Sequence, residues 1–157
     1  MDWTLFGLLP MIFGGAPADS PRALLDAIYE PLQSGQQINL EDYYTDHLMD
    51  LVAYNLQVNV VDNSGAPIEP DAPGIVAFNP FLNGPESPVE ALAVSEPVVQ
   101  GDTAVALVSF ERAGQPTILT VSMVHVEGWK VDDVASVGAG EKWLYSWLLQ
   151  YDPYNQQ

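Results

Sequence analysis

Cysteine is absent from this sequence of 157 residues. Without it the chain forms no disulfide, offers no thiolate to a metal ion and has no cysteine nucleophile. Basic residues are scarce as well, since four Lys and Arg stand against 21 Asp and Glu and give a formal net charge of −17. So acidic a surface repels phosphate backbones and anionic headgroups, which argues against nucleic-acid binding and charge-driven membrane docking. The acidic surface is compatible with binding a basic partner, with binding divalent cations, or simply with high solubility.

Long apolar runs and catalytic motifs are also absent from the sequence. No stretch reaches the roughly 20 apolar residues of a membrane span, and no phosphate loop, nucleophile elbow or calcium loop is present. His47 and His125 are widely separated, which makes a metal site a weak hypothesis. We therefore expect no metal, no cofactor and no catalytic residue. The nearest approach to a general base is His47 beside Asp46 and Asp50, although its place next to an apolar stripe favours a structural role.

Residues 1–19 form an apolar segment ahead of a single α+β domain that we predict over residues 20–157. Ala16-Pro17-Ala18 has the small-x-small form of a signal-peptidase site, which indicates a periplasmic or exported protein. The stretch before it carries Asp2 and no Lys or Arg, so a cytoplasmic location stays open. The alternative is that the segment docks on a partner or on the protein's own core through Trp3, Phe6, Leu9 and Phe13.

Two helices are predicted to lead the domain. Ser20-Pro21 is typical of a helix start, and Pro31 predicts an end or a kink near Tyr29. Asn39 is expected to cap a second helix that runs to about Asn55. Its buried stripe is expected to be Leu40, Tyr44, Leu48 and Leu51, with Asp42, Asp46 and Asp50 on the opposite side.

The middle of the chain is irregular. Gln57–Val61 is compatible with a short strand. A proline-rich connection follows, and it contains Phe78-Asn79-Pro80-Phe81, which we interpret as an anchor in the core rather than as a ligand site.

Antiparallel strands are predicted over Ala91–Val99, Thr103–Arg112, Thr117–Val126 and Trp129–Val134. Thr103–Arg112 is apolar on both faces, which is typical of a central strand buried on both sides. Asp132 and Asp133 are neighbours on a strand and should point to opposite faces, so they form no shared-proton pair. We expect one of them to cap the end of the strand.

Glu141–Tyr151 is predicted to be the last helix, with Trp143, Trp147 and Tyr151 on one side. Aromatic side chains in such number usually belong to the core or form a lid. The alternative is contact with a partner, because Trp and Tyr are frequent at the centre of interfaces.

Gly128–Val134, together with Ala27-Ile28-Tyr29, Phe78–Gly84 and the strand Val99–Phe110, resembles a domain-of-unknown-function family (number 3828) of small exported bacterial proteins and lipoproteins. The resemblance spans about Ser20 to Leu149. It implies the nuclear-transport-factor-like superfamily, in which helices pack into a strongly bent antiparallel sheet, often around a cavity. It also implies a location in the cell envelope, and the family carries no established activity.

These patterns together predict an α+β fold in which two N-terminal helices and a C-terminal helix pack on a bent, cone-like antiparallel sheet. The leading functional hypothesis is a non-enzymatic accessory module of the bacterial cell envelope that contacts a protein partner, as a subunit of a membrane-protein complex. One alternative is a binder of small apolar ligands, and another is an enzyme of the hydratase or isomerase type with His47 or a buried Asp as base. The candidate partner contacts are Trp3, Phe6, Leu9, Phe13, Trp143, Trp147 and Tyr151, and the candidate cavity residues are Tyr43, Tyr44, His47 and Phe81.

Overall fold

The computed structural model describes residues 18–36, 38–58, 79–83, 89–112, 114–138 and 142–150. Within them, three α-helices and one 3-10 helix accompany a six-stranded antiparallel sheet, so the predicted α+β class is confirmed. The helices are α1 (Pro21–Gln33), the 3-10 helix (Leu40–Tyr43), α2 (Asp46–Val58) and α3 (Tyr145–Gln150). The strands are β1 (Glu90–Val94), β2 (Val98–Gln100), β3 (Thr103–Arg112), β4 (Gln115–His125), β5 (Trp129–Ser136) and β6 (Trp143–Leu144).

Helix α1 begins where the sequence predicts and ends later. The Ser20 side chain accepts a hydrogen bond of 3.1 Å from the Ala23 amide, as an N-cap should. Of the predicted end or kink near Tyr29, the end is wrong, because the helix continues through Pro31 to Gln33 and Ser34 is its C-cap. A proline this close to the C-terminal end removes only one helical hydrogen bond, and the last turn tolerates that loss.

The single helix predicted from Asn39 to Asn55 is wrong, because the chain forms the 3-10 helix and α2 with a break between them. At the break, the Thr45 amide donates to the Val131 carbonyl at 2.9 Å, and Tyr44 forms a bridge to the same strand. The edge of β5 therefore competes for backbone groups that a continuous helix would use. Thr45 then caps α2, since its Oγ1 accepts from the Leu48 amide at 3.2 Å.

Helix α2 extends to Val58, so the strand predicted to start at Gln57 is also wrong for its first two residues. Residues 59–61, the turn that follows them and Phe78 lie outside the described residues.

In the sheet, β1 and β2 lie end to end along the same side of β3, and β4, β5 and β6 follow in order on the other side. The prediction of one continuous strand over Ala91–Val99 is wrong, since β1 ends at Val94 and β2 begins at Val98. Between Glu90 and Ala93 the pairing with β3 shifts register, and Ala91 adopts a positive φ of 57°, as at a β-bulge. Pro97 lies in the gap before β2 and has no amide to donate to a ladder.

One face of the sheet, here called the inner face, carries the core. Every second residue of β3 and β4 is buried there, and α1, α2 and α3 supply the apolar side chains that cover them. The core residues with no more than 1% exposure include Leu24, Leu25, Ile28, Leu48, Val108, Leu119, Val121, Met123, Val131, Val134 and Leu149. The predicted alternation along β4 is thus confirmed for Leu119, Val121 and Met123, whereas His125 at the strand end is exposed.

A short segment, Asn79–Asn83, enters the core from the irregular region, and we call it the plug. Its Phe81 is fully buried, as expected of an anchor, and the Asn79 side chain supports the turn by accepting from the Phe81 amide at 2.9 Å. Three donors from separate elements hold it. They are Tyr29 Oη to the Phe81 carbonyl at 3.0 Å, Arg112 Nη1 to the Leu82 carbonyl at 2.7 Å, and Trp143 Nε1 to Asn83 Oδ1 at 2.9 Å.

The last helix begins later in the chain than predicted. Trp143 and Leu144 form β6 and pair with Ser136 and Ala135 at the end of β5, so the helical prediction is wrong for these two residues. Helix α3 begins only at Tyr145, and Tyr151 lies outside the described residues.

Candidate functional site

The outer face of the sheet carries large apolar side chains that remain exposed. Along β3 they are Val105 and Leu107, the latter 48% exposed, and they are joined by Val98, Ile118, Val137 and Leu144. Among the described residues, the helices contribute to the core on the opposite, inner face. β3 is a central strand, as predicted, because β1 and β2 pair with one of its edges and β4 with the other, but its second apolar face meets solvent and is not buried.

These side chains are contiguous, and we call Val98, Val105, Leu107, Ile118, Val137 and Leu144 the outer strip. Val98 lies directly opposite Val105, and Ile118 is diagonal to Leu107, which faces Thr120. The Val137 amide donates to the Ile118 carbonyl at 3.0 Å, and Leu144 pairs with Ala135 one strand further on. Scattered exposed apolar residues are ordinary, but a continuous strip marks a contact surface.

Carboxylates stand near both ends of β3. At one end, Glu90 and Glu111 are direct cross-strand partners and both are exposed. Like charges placed opposite each other on a sheet are unfavourable. At the other end, the exposed residues Asp102 and Glu127 lie in turns that the hydrogen bond from the His125 amide to the Asp102 carbonyl holds together.

All four basic side chains of the protein already have acceptors. Arg22 pairs with Asp26, Arg112 donates to the plug, Lys130 Nζ donates to the Asp42 carbonyl at 2.9 Å, and Lys142 Nζ donates to the Gly138 carbonyl at 3.0 Å. None of these four contacts involves Glu90, Glu111, Asp102 or Glu127.

A second concave site lies between the 3-10 helix, α2 and α3. It is a cavity of about 250 Å³ whose wall includes Tyr44, Tyr145, Pro80 and Leu149, with Glu41 also on its wall. The two tyrosine rings meet edge to face with centroids 6.4 Å apart. Burial, followed by the neighbouring Tyr145 hydroxyl, raises the pKa of Tyr44 above its ordinary value, and burial raises the pKa of Tyr145 to about 12. Both hydroxyls are therefore neutral hydrogen-bonding groups at physiological pH.

The carboxylates of Asp132 and Asp133 each hold the start of a helix. A shift in the pairing of β4 with β5 makes Asp132 an extra residue between the partners of Ser122 and Met123. Asp132 Oδ1 accepts from Thr45 Oγ1 at 2.8 Å, ahead of α2. Asp133 accepts from the Ser146 amide at 2.9 Å and from its hydroxyl, in the first turn of α3. Asp133 also accepts from the Val134 amide at 2.9 Å, at the end predicted for the strand, although β5 continues to Ser136.

Two of the candidate cavity residues, Tyr44 and His47, line one open cleft, whereas Tyr43 and Phe81 lie elsewhere. Tyr44 lines the tyrosine cavity, Tyr43 lines a separate cleft with Trp129, and Phe81 is in the core. His47 is exposed and lines an open cleft beside Asp46 and Asp132.

The candidate partner contacts are divided in the same way. Trp143 is partly buried against the core and donates to Asn83, whereas Trp147 is 53% exposed on α3. The other candidates, namely Trp3, Phe6, Leu9, Phe13 and Tyr151, lie outside the described residues. The outer strip is not predictable from β3 by itself, because apolar residues on both faces indicate a central strand and do not show whether each face is covered. The available signal was the number of predicted helices, which is too small to cover both faces of the sheet.

Comparison with protein-family models, with curated proteins and with solved structures finds no match to this chain. The resemblance to the family of small exported proteins thus stays a prediction. Across the described ranges, no group of three or more His, Asp or Glu side chains is placed to hold a metal ion. Among the helices described, none is both long enough and apolar enough to pass through a bilayer.

Proposed function

We propose that the protein is a non-enzymatic interaction module of the bacterial cell envelope, which serves as an accessory subunit of a larger complex and uses the outer strip as its contact surface. The observation that carries this proposal is the continuity of the strip across β2, β3, β4 and β6. Leu107 is 48% and Ile118 39% exposed, so a partner that buries the remainder would contribute roughly 0.6–1.5 kcal/mol for each side chain. Contact with a partner recovers this free energy.

Photo-crosslinking in the native cell tests the contact surface. A photoreactive amino acid at Leu107 or Ile118 should give a crosslinked species of one defined mass, because both side chains would lie in the interface. The matched control is Leu56, which is 46% exposed on α2 and lies away from the outer strip. Equal crosslinking at Leu56, or none at any of the three positions, would contradict the proposal.

The envelope location is part of the same proposal and is supported by the apolar segment over residues 1–19 with its small-x-small motif. N-terminal sequencing of protein purified from periplasmic and cytoplasmic fractions tests it. We expect a mature N-terminus near Asp19 in the periplasmic fraction, and full-length protein confined to the cytoplasm would contradict this part.

The nuclear-transport-factor-like, cone-shaped architecture is proposed as well. It is supported by the placement of the helices on one face and by the register shifts in β1 and β5, because bulges bend a sheet. A solved structure in which the sheet is flat would contradict it.

The second candidate function is binding of a small apolar ligand, and the tyrosine cavity favours it. A ligand with one polar atom would place that atom at the Tyr44 and Tyr145 hydroxyls and its apolar part against Leu149. A thermal-shift screen of apolar metabolites tests this, with Tyr44→Phe as the variant that should weaken any stabiliser. If no compound raises the midpoint of unfolding, this candidate is removed.

A further inference from the structure

We propose that the tyrosine cavity binds a small organic ammonium ion, whose charged nitrogen pairs with Glu41 and whose hydrocarbon part fills the buried end of the cavity. This inference deepens the second candidate function and rests on it, because it concerns the same cavity. It adds the charge of the ligand and its orientation, and it does not depend on the outer strip.

The lining of the cavity divides into an exposed rim and a buried end. The exposed lining residues are Asn39, Glu41 and Leu56. The buried lining residues are Tyr44, Val52, Pro80, Tyr145 and Leu149. Apolar ligand surface gains most where it leaves water completely, whereas a charged group is costly to bury. A ligand therefore enters with its hydrocarbon part first and keeps its charged group at the rim.

The sign of that charge follows from Glu41, which is the only ionised side chain among the described lining residues. Its carboxylate forms no ion pair within the part of the chain that the structure describes. Burial is the main cause of the raised pKa of Tyr44 and of Tyr145, and the charge of Glu41 raises both further, so the carboxylate lies near the two hydroxyls. Neutral hydroxyls accept hydrogen bonds as well as donate them. An ammonium group thus meets a carboxylate and phenol oxygens together.

The two other clefts described above differ in charge. Lys130 lines both the cleft with Trp129 and the cleft with His47, so each of them has a cation of the protein beside its carboxylates. A metal ion is a poor occupant of the tyrosine cavity, because it requires several oxygen or nitrogen ligands and the described lining offers one carboxylate. A single carboxylate above buried apolar walls favours an organic cation instead.

The volume of the cavity limits the size of the ligand. At about 250 Å³ it is smaller than the roughly 300–1,000 Å³ of pockets for drug-sized molecules. A six-carbon ring with one polar group is a suitable probe. We choose cyclohexylammonium, neutral cyclohexanol and anionic cyclohexanecarboxylate, because the three share a ring and differ in charge.

NMR titration of the isotope-labelled, full-length chain measures affinity and location in one experiment. We expect cyclohexylammonium to bind about five-fold more tightly than cyclohexanol, as for one ion pair at a partly exposed site, and cyclohexanecarboxylate to bind more weakly than either. The preference for the ammonium ion should fall as salt is raised. Amide shifts should centre on Glu41, Tyr44 and Tyr145.

Three variants separate the contributions to binding. Glu41→Gln should reduce the affinity for cyclohexylammonium to that for cyclohexanol, because it removes the charge and keeps the shape. The matched control, Glu30→Gln, removes the same charge from an exposed position on α1 and should leave the five-fold preference unchanged. Tyr44→Phe should weaken both ligands, because its hydroxyl serves the amine and the alcohol alike.

Several results would overturn the inference. Equal binding of cyclohexylammonium and cyclohexanol, or a preference that survives Glu41→Gln, would reject the cation and leave the apolar-ligand function standing. A preference that Glu30→Gln reduces as much as Glu41→Gln would assign it to the net charge of the whole chain. Shifts centred on Trp129 or His47 would place the binding in another cleft.

Binding of none of the three probes would reject both the inference and the second candidate function, because the cavity then takes no six-carbon ligand of any charge. The proposed contact surface on the outer strip is decided separately, by crosslinking at Leu107 and Ile118.

Discussion

The Tyr29 hydroxyl donates a hydrogen bond of 3.0 Å to the Phe81 carbonyl, and the two rings meet edge to face with centroids 5.9 Å apart. The phenol thereby satisfies a buried carbonyl and also forms part of the apolar wall around the plug. Tyr29→Phe should lower the free energy of unfolding by about 1–3 kcal/mol, because it leaves a buried acceptor without a partner. Urea denaturation measures the change.

The matched control for this substitution is Tyr54→Phe, since Tyr54 is 47% exposed on α2. We expect its effect to stay within about 0.5 kcal/mol. Equal destabilisation by the two variants would contradict the role given to the bond between Tyr29 and the plug.

The carboxylate of Asp133 should contribute to stability through α3. Asp133→Asn keeps the shape of the side chain but weakens the charge-assisted bonds to Ser146, and we expect a loss of about 1–2 kcal/mol in the free energy of unfolding. Hydrogen exchange should report faster opening of α3 in particular. Asp50→Asn, at an exposed position on α2, is the control, and faster exchange there instead of in α3 would contradict the assignment.

Alkaline pH should destabilise the protein through its buried tyrosines. In the unfolded chain these side chains lose a proton near pH 10, whereas burial raises the pKa of Tyr145 to about 12 and shifts Tyr29 and Tyr44 in the same direction. Above pH 10 the unfolded state therefore binds fewer protons than the native state, so stability is fully present below pH 10 and falls as pH rises.

Tyr145 alone contributes up to about 3 kcal/mol to the loss by pH 12, and the larger shifts of Tyr29 and Tyr44 add to it. Urea midpoints between pH 8 and pH 12 measure the fall. Tyr145→Phe should make the decline shallower, because one of the titrating groups is removed. An unchanged slope in this variant would show that Tyr145 is not protected from ionisation in the native state.

Gly138 is required by close packing against Ile118. A methyl group at this position would lie 3.1 Å from the Ile118 amide nitrogen and 3.1 Å from its Cβ. Gly138→Ala should therefore cost about 1–3 kcal/mol, since a backbone atom of a central strand cannot easily move away. Thermal unfolding measures this cost, and an unchanged midpoint would show that β4 gives way at Ile118.

The sequence was sufficient for the elements whose patterns are local. Thr103–Arg112 was predicted with its observed bounds, and the Ser20 cap with Pro21 located the start of α1, because period and capping depend on neighbouring residues. The errors occur where a distant strand competes with local preference. Tyr44 and Trp143 both have helical surroundings in sequence, but each pairs with β5 instead.

The candidate site was harder to predict than the fold for a related reason. The sequence pattern around an apolar residue such as Leu107 is the same whether a helix packs on the residue or the residue is exposed to solvent. Only the complete sheet decides which of the two faces the helices occupy.

The plug also constrains how the chain can fold during synthesis. Two of the donors that hold the plug, Arg112 and Trp143, come later in the chain than the plug itself. Helix α3 is also required, because its Leu149 carbonyl accepts a hydrogen bond of 3.1 Å from Asn55 Nδ2 on α2. While Arg112 and Trp143 are still inside the ribosome, Tyr29 is the one of the three donors that can hold the plug. Cooperative closure must therefore follow translation of nearly the entire described length, and the force exerted by chains stalled at increasing lengths should rise only after residue 149 has cleared the exit tunnel.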